Sequence, residues 1–342
     1  MSFERWIRRS ALVGGLGLLL SNSALTTAQA QTATQQQDRA STANPYTHWN
    51  RGWEVAFRPT GTLLAGGSTD QPQLRLWELP SLKPLRTFGS HSESIESLVW
   101  SPDGSLLASG SRDRTIKIWD AEQAIELHAL TGHDGWVWDL AWSPDGKRLA
   151  SASYDGSVKL WDPQQGRLLS TLQASSLPVL AVTWNSDGTL LAAAGREGPI
   201  WIWDSESLAP RKTLTGHATG VACLRFIGAD KLASGGWDKL VKIWAAGAGR
   251  QLLELGGHRG SVHELAVSSD GSELASVSTD GSLIIWDCAS GVLVHRIYGK
   301  SEGMRSLDWS PDGRYLVAVE WRRALLRLFD TAEWKEVASA PG

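Results

Sequence analysis

Several short stretches of this chain carry the residue types of known chemistries, and each stops short of the spacing that the chemistry needs. Gly299-Lys300-Ser301 ends like a phosphate-cradling loop, in which backbone N–H groups and a lysine hold phosphate oxygens. The position where that loop requires its first glycine is Val294. His263-Glu264 opens like a zinc-hydrolase helix but lacks the second histidine, and Gly247-Ala248-Gly249 runs into Arg-Gln-Leu instead of a glycine-bearing helix start. No Gly-x-Ser-x-Gly elbow and no Cys-x-x-Cys pair occurs. Nucleotide binding, zinc hydrolysis, elbow-type esterase chemistry and dithiol redox chemistry therefore have no local motif here. No cofactor and no metal is expected.

What the chain does repeat is tryptophan. Trp77, Trp119, Trp161, Trp203, Trp244 and Trp286 stand 42, 42, 42, 41 and 42 residues apart, and Phe329 follows 43 later. A second series runs ahead of it at Phe57, Trp100, Trp142, Trp184, Phe226, Val267 and Trp309, spaced 43, 42, 42, 42, 41 and 42. Two phased apolar anchors per unit and seven units are the signature of a repeat architecture. Within a unit the apolar runs are short and bounded by Gly, Asp or Pro, as in Ile95 to Trp100, the turn Ser101-Pro102-Asp103-Gly104, Leu106 to Ser111, and Thr115 to Trp119. These read as strands, and a fourth follows each Trp, as at Leu168 to Leu172. Pro fixes φ, Asp bonds back to its own backbone and Gly accepts positive φ, which accounts for Pro-Asp-Gly at 102, 144 and 311.

Four short strands every 42 residues or so, with Trp-Asp at 119, 161, 203 and 286 and Gly-His at 132, 216 and 257, resemble the WD-repeat (WD40) family of β-propellers. The resemblance covers 44 to about 338. It implies an all-β, seven-bladed propeller built from WD40 repeats over 44–342. It also implies one buried hydrogen-bonded chain per blade, made by a His, a Ser or Thr, an Asp and the Trp. Matched residue by residue, blade 2 carries His91, Ser109, Asp113 and Trp119, and blade 3 carries His133, Ser151, Asp155 and Trp161. Blade 5 carries His217, Ser234, Asp238 and Trp244, and blade 6 carries His258, Ser276, Asp280 and Trp286. These histidines are assigned to structure, ahead of catalysis or metal binding. Blade 1 has His48, Asp70 and Trp77 but Gly66 at the Ser position. Blade 4 has Ser175, Ala193 and Glu197, and blade 7 has Lys300, Ala318 and Arg322 with Phe329, so both are expected to rely on apolar packing.

In that family, partners dock most often on the face made by loops entering the first strand and by turns between the second and third. The register places three rim positions in each blade: three and five residues after the His, and the residue before the turn Asp. Those positions give an expected partner surface of Trp53, Arg112, Trp136, Trp138, Tyr154, Arg196, Trp237, His263, Arg305 and Trp321. Other rim positions are Arg51, Thr69, Ser94, Glu96, Pro178, Leu180, Gly220, Ala222, Ser261, Thr279 and Gly303. Large rings beside guanidiniums are the composition of a binding hot spot. The expected function is a non-catalytic scaffold for a protein or peptide, with Arg favouring an acidic one. A glycan-binding propeller is the alternative, and a propeller hydrolase or lactonase is the third reading.

The first 30 residues read as a signal peptide: a basic start at Glu4 to Arg9, an apolar stretch from Ala11 to Leu20, and the small-x-small site Ala28-Gln29-Ala30. Residues 31–43, rich in Gln, Thr, Ala and Ser, read as a flexible leader. Removing residues 1–30 takes away three Arg and one Glu, so the formal charge moves from -3 to -5, which disfavours nucleic acid as a partner. Cys223 and Cys288 fall at opposite ends of neighbouring blades and are expected as free thiols, in a monomer. Export to a periplasmic or extracellular space is expected, with the mature chain starting at Gln31. Intact-mass measurement on protein from an exported fraction checks this; a membrane-retained chain still carrying Met1 would mean an anchor instead.

Overall fold

The computed structural model describes residues 53–68, 70–300 and 303–342, all within one compact unit, Asn50–Gly342. The expected signal peptide, the leader, His48, Arg51 and Thr69 lie outside the described residues. Among the described residues every regular element is a β-strand, 28 in all, forming seven antiparallel sheets of four sequential strands. The first strands are Trp53–Phe57, Ile95–Trp100, Val137–Trp142, Val179–Trp184, Val221–Ile227, Val262–Val267 and Met304–Trp309. Each touches the first strand of the next blade, and the last touches Trp53–Phe57, so they make a closed inner ring. The seven-bladed propeller expected from the repeat is the observed architecture.

The tight turns follow from their chemistry. Ser101 Oγ and the Ser105 N–H both donate to Asp103 Oδ1 (2.6 and 3.0 Å), and Gly104, at φ 70°, closes back on the Ser101 carbonyl. The same turn recurs at Ser143, Ser268 and Ser310, each bonded to the Asp two residues on. Both Trp series are also accounted for. The third-strand rings, Trp77 through Trp286 and Phe329, are all buried, at 7% exposure or less. On the first strands, the indole N–H groups of Trp100, Trp142 and Trp184 reach into the preceding blade, donating to the carbonyls of Ala56, Val99 and Ala141 (3.1, 3.3 and 3.2 Å). Each such ring therefore packs one interface and stitches it.

The polar chain inside a blade has a direction. In blade 3 the Trp161 indole N–H donates to Ser151 Oγ (2.8 Å), Ser151 Oγ lies 2.7 Å from His133 Nε2, and His133 Nδ1 lies 2.7 Å from Asp155 Oδ2. An indole can only donate, and a carboxylate can only accept. The serine proton therefore goes to Nε2 and the imidazole proton sits on Nδ1. Blades 2 and 5 repeat this arrangement through His91 and His217. Blade 6 differs. His258 Nδ1 donates to Ser282 Oγ (2.8 Å), which donates to Asp280 Oδ1 (2.6 Å), and Asp280 itself stands 3.7 Å from the imidazole. Burial works against ionising Asp113, Asp155 and Asp280, but bonds from the imidazole or its neighbouring hydroxyl and from backbone N–H groups hold all three well below the usual range.

The three irregular blades replace this chain in different ways. In blade 1, a Cβ at Gly66 would stand 2.7 Å from the Trp77 ring and 3.0 Å from Trp53. The missing side chain lets Trp53 pack edge-on against Trp77 at 5.2 Å, under the Arg75 guanidinium. Blade 4 is apolar as expected: Ala193 is buried with Ala150, Val158, Val182 and Trp203, and Glu197 is exposed. The expectation for blade 7 is corrected. A buried ion-pair network stands there, with Arg327 bonding Glu320 (3.1 Å) and Glu336 (2.8 Å), and the Lys300 N–H donating to Glu320. A guanidinium has enough donors to serve both carboxylates, which the absent imidazole could not.

Asp155→Ala removes the acceptor of His133, the Asp134 and Ser157 N–H groups and the Ser157 hydroxyl. Glu197→Ala removes one long contact, 3.4 Å from Ser176 Oγ. Denaturant midpoints should show Asp155→Ala about 1 to 3 kcal/mol less stable than Glu197→Ala, and equal losses would refute the assigned polar chain.

Candidate functional site

The rim on the first-strand entry face is half-buried. Arg112, Trp136, Trp138, Tyr154, Arg196, Trp237, His263 and Trp321 all have intermediate exposure. Two expectations are corrected: Trp53 and Arg305, expected to face solvent on the rim, are buried at 5% and 7%. Trp53 lies against Trp77, as described, and Arg305 turns toward the axis. Glu96, Leu180 and Ala222, taken as rim positions by the same count, are buried too.

For Arg305, Glu96, Leu180 and Ala222 the cause is a β-bulge; the first strand of blade 1, which carries Trp53, pairs without one. The first-strand ladder skips one residue in blades 2, 3, 4, 5, 6 and 7: Glu96, Trp138, Leu180, Ala222, His263 and Arg305. A bulge leaves one residue unpaired and re-aims its side chain. At Arg305 the re-aimed side chain reaches inward. It donates from Nε to Glu54 in blade 1 (2.7 Å) and from Nη2 to Glu96 in blade 2 (2.5 Å), two blades away. Glu96 also accepts from Arg112 Nε (2.5 Å). The channel mouth thus carries two guanidiniums on one shared carboxylate.

From that mouth an aromatic stack runs outward. The Arg112 guanidinium lies 4.7 Å over the Trp136 ring, Trp136 stands 4.9 Å from Tyr154, and Tyr154 stands 5.2 Å from Trp138. Arg196 over Trp237 (5.8 Å) makes a second, separate pair. Glycines in the entry loops make room for rings: a Cβ at Gly220 would meet Trp237 at 2.9 Å, and one at Gly303 (φ 83°) would meet Trp321 at 3.0 Å. The rim residues are therefore brought together in blades 2 and 3 and only pairwise elsewhere. Sequence reasoning missed the inward turn of Arg305, because a bulge leaves no composition signal, and missed Glu54, which stands one residue past the counted position on a first strand that pairs without a bulge.

Deeper in the channel the balance reverses. Arg225 pairs with Glu264 (2.8 Å), and both keep some exposure, 33% and 19%, although they lie on first strands inside the ring. Asp139 accepts the Val182 and Leu140 N–H groups, and Asp308 accepts those of Phe57 and Trp309. Burial raises Asp139, and raises Asp308 to about 6 and Glu264 to about 8, with Arg225 opposing each rise. At the mouth, burial raises Glu54 to about 7 against the pull of Arg305. It lowers His263, helped by Arg305, to about 3, so that imidazole is neutral near pH 7. Among the described residues no group of three or more His, Cys, Asp or Glu is gathered as metal donors, and Cys223 and Cys288 are free and buried.

These carboxyls hold their protons more tightly folded than unfolded, so their stabilisation is complete below the unfolded values of 3.8 to 4.5 and is lost as pH rises through the folded ones. His217 and His263, both lowered, act oppositely but only below about pH 6.5, and the depressed Asp residues act lower still. Urea midpoints should therefore fall between about pH 6.5 and 8.5, and Glu264→Gln should flatten the fall. A wild-type profile as flat as the variant's would contradict the raised values.

Residues 51–238 match the family model described as the IFT122 first beta-propeller, and residues 249–287 and 291–322 match that of the WD domain, G-beta repeat. The chain is 36% identical over 107 residues to small ribosomal subunit protein RACK1y of Oryza sativa subsp. japonica, covering 30% of this chain and 32% of that protein. It is 38% identical over 112 residues to coronin-7 of Bos taurus, covering 32% and 12%. It is 32% identical over 110 residues to MST50-interacting protein 11 of Pyricularia oryzae, covering 31% and 34%. The matched stretches span about a third or less of these relatives. With a family model over more than half its length, two phased apolar series and seven four-stranded blades, the chain belongs to the WD40 β-propeller family.

Proposed function

We propose that this propeller is a non-catalytic scaffold, exported from the cytoplasm, that binds a protein or peptide on its aromatic and arginine-bearing rim. The observation that carries the reading is the continuous stack Arg112, Trp136, Tyr154, Trp138. Rings already fixed by their neighbours lose little freedom when a partner covers them, so burying their remaining faces contributes most of its gain to affinity. The guanidinium over Trp136 favours a partner with carboxylates. The relatives support a protein partner: one is named as a component of a ribosomal subunit and another for its interaction with MST50. The basic start, apolar run and Ala28-Gln29-Ala30 support export.

The test uses the mature protein as bait on an exported fraction, followed by titration of the captured partner against wild type and Trp138→Ala with Tyr154→Ala. Each ring should cost about 2 kcal/mol of binding, roughly 30-fold, with a small drop in melting temperature. Intact affinity with a large drop in melting temperature would make the stack structural and remove the reading, and saturable binding to cell-wall fragments alone would replace it with a glycan partner.

A further inference from the structure

Three places stand apart from the rim stack: the acidic channel interior, the exposed apolar fourth strands and the channel mouth. The interior carboxylates are largely spent on backbone N–H groups and Arg225. Beside and along the fourth strand of blade 6, Leu293–Tyr298, the side chains of Val292, Leu293, Val294 and Tyr298 are exposed with nothing to define what covers them. The mouth is different, because its donors outnumber its acceptors.

We propose that the channel mouth is a binding site for a single carboxylate, seated between Arg305 and Arg112. A guanidinium carries five N–H donors in a planar fork. Arg305 uses Nε on Glu54 and Nη2 on Glu96, and Arg112 uses Nε on Glu96. Arg305 Nη1 and Arg112 Nη2 are buried and have no hydrogen-bond partner. Arg305 is more than nine-tenths buried, so this atom is not simply solvated at the surface. A buried charged donor left unmade is costly, and an incoming carboxylate brings two oxygens able to accept from both groups.

Charge and surroundings fit the same ligand. Two permanent cations face Glu96 and Glu54, and Glu54 holds a proton part of the time near neutrality. The other bulge positions bring no competing anion: Trp138, Leu180 and Ala222 are uncharged, and His263 is neutral. Trp136 walls the site by lying under Arg112. A single carboxylate is offered both by a chain terminus and by an Asp or Glu side chain. The proposal rests on the scaffold reading only for which macromolecule carries that group.

N-acetylglycine, its neutral amide, and N-acetylaspartic acid blocked as its α-methylamide serve as probes, read through the Trp136 indole N–H resonance, assigned by Trp136→Phe. Both acids should shift it saturably and the amide should not; the tighter acid identifies chain end or side chain as the source. Arg112→Gln should weaken the acids by about tenfold or more, while Arg305→Lys, which keeps the charge but loses the fork, should weaken them with the fold intact by circular dichroism. Equal shifts from acid and amide, or unchanged affinity in folded Arg112→Gln, would overturn the site. Absent acid binding in a protein whose partner capture still depends on Trp138 and Tyr154 would overturn the carboxylate seat and leave the scaffold standing.

Discussion

The ring depends on how its two ends meet. Among the described residues, blades 1 and 7 each complete four strands from their own stretch of chain, and no strand is shared across their seam. What closes it is side-chain chemistry: Arg305 on Glu54, the Val55 N–H on Ser306 Oγ (3.2 Å), the Phe57 N–H on Asp308 (2.7 Å), and one apolar cluster. That cluster joins Trp53, Val55 and Phe57 to Val317, Val319, Leu326 and Leu328. In a repeat whose units touch only their neighbours, an open seam would expose two blade faces. Arg305 then adds a bond to Glu96, so one guanidinium ties three blades. Losing it would strand two carboxylates inside the ring, a cost on the order of 3 to 5 kcal/mol.

Within the blades the same logic assigns most of the polar residues that look reactive. His91, His133 and His217 each have both ring nitrogens engaged, one by Ser and one by Asp, and His258 by two serines. Such a nitrogen has no lone pair or proton to spare for a substrate. The polar chain is strong because it is complete and dry, and blade 7 shows that its chemistry is replaceable provided every member stays satisfied. Glu320, Arg327 and Glu336 there do with charge what imidazole and hydroxyl do elsewhere.

Fold and blade number were legible because the anchors are large and periodic: seven buried third-strand rings about 42 residues apart leave little freedom of interpretation. The polar chains were legible in blades 2, 3 and 5, where spacing alone carries the geometry. In blade 6 it did not, since Ser282 inserts itself between His258 and Asp280. The rim was legible at the turn positions Arg112, Tyr154, Arg196, Trp237 and Trp321 and at Trp138, but the count five residues after the His failed at Trp53, Glu96, Leu180, Ala222 and Arg305, which are buried. A count along a strand assumes a regular pleat, and one extra residue changes which way every later side chain points. A bulge at that place defeats the count in blades 2 and 7, which is why Glu96 and Arg305 belong to the channel.

The polarity of the channel follows from backbone accounting before any function is considered. Each first strand is the edge of its sheet, so one row of its N–H groups faces the neighbouring blade and not a partner strand. Buried N–H groups must find acceptors. Ser97, Asp139, Ser306 and Asp308 supply them, each serving a backbone N–H of the next blade. The interior carboxylates are thus consumed by the architecture, and Arg225 among them offsets charge that the architecture requires. At the mouth no backbone makes that demand: Glu54 and Glu96 accept from guanidiniums, not from strands, and two buried guanidinium donors remain over. An excess of donors that no strand demands, next to rings already held in a stack, is what sets the mouth apart from the rest of the channel.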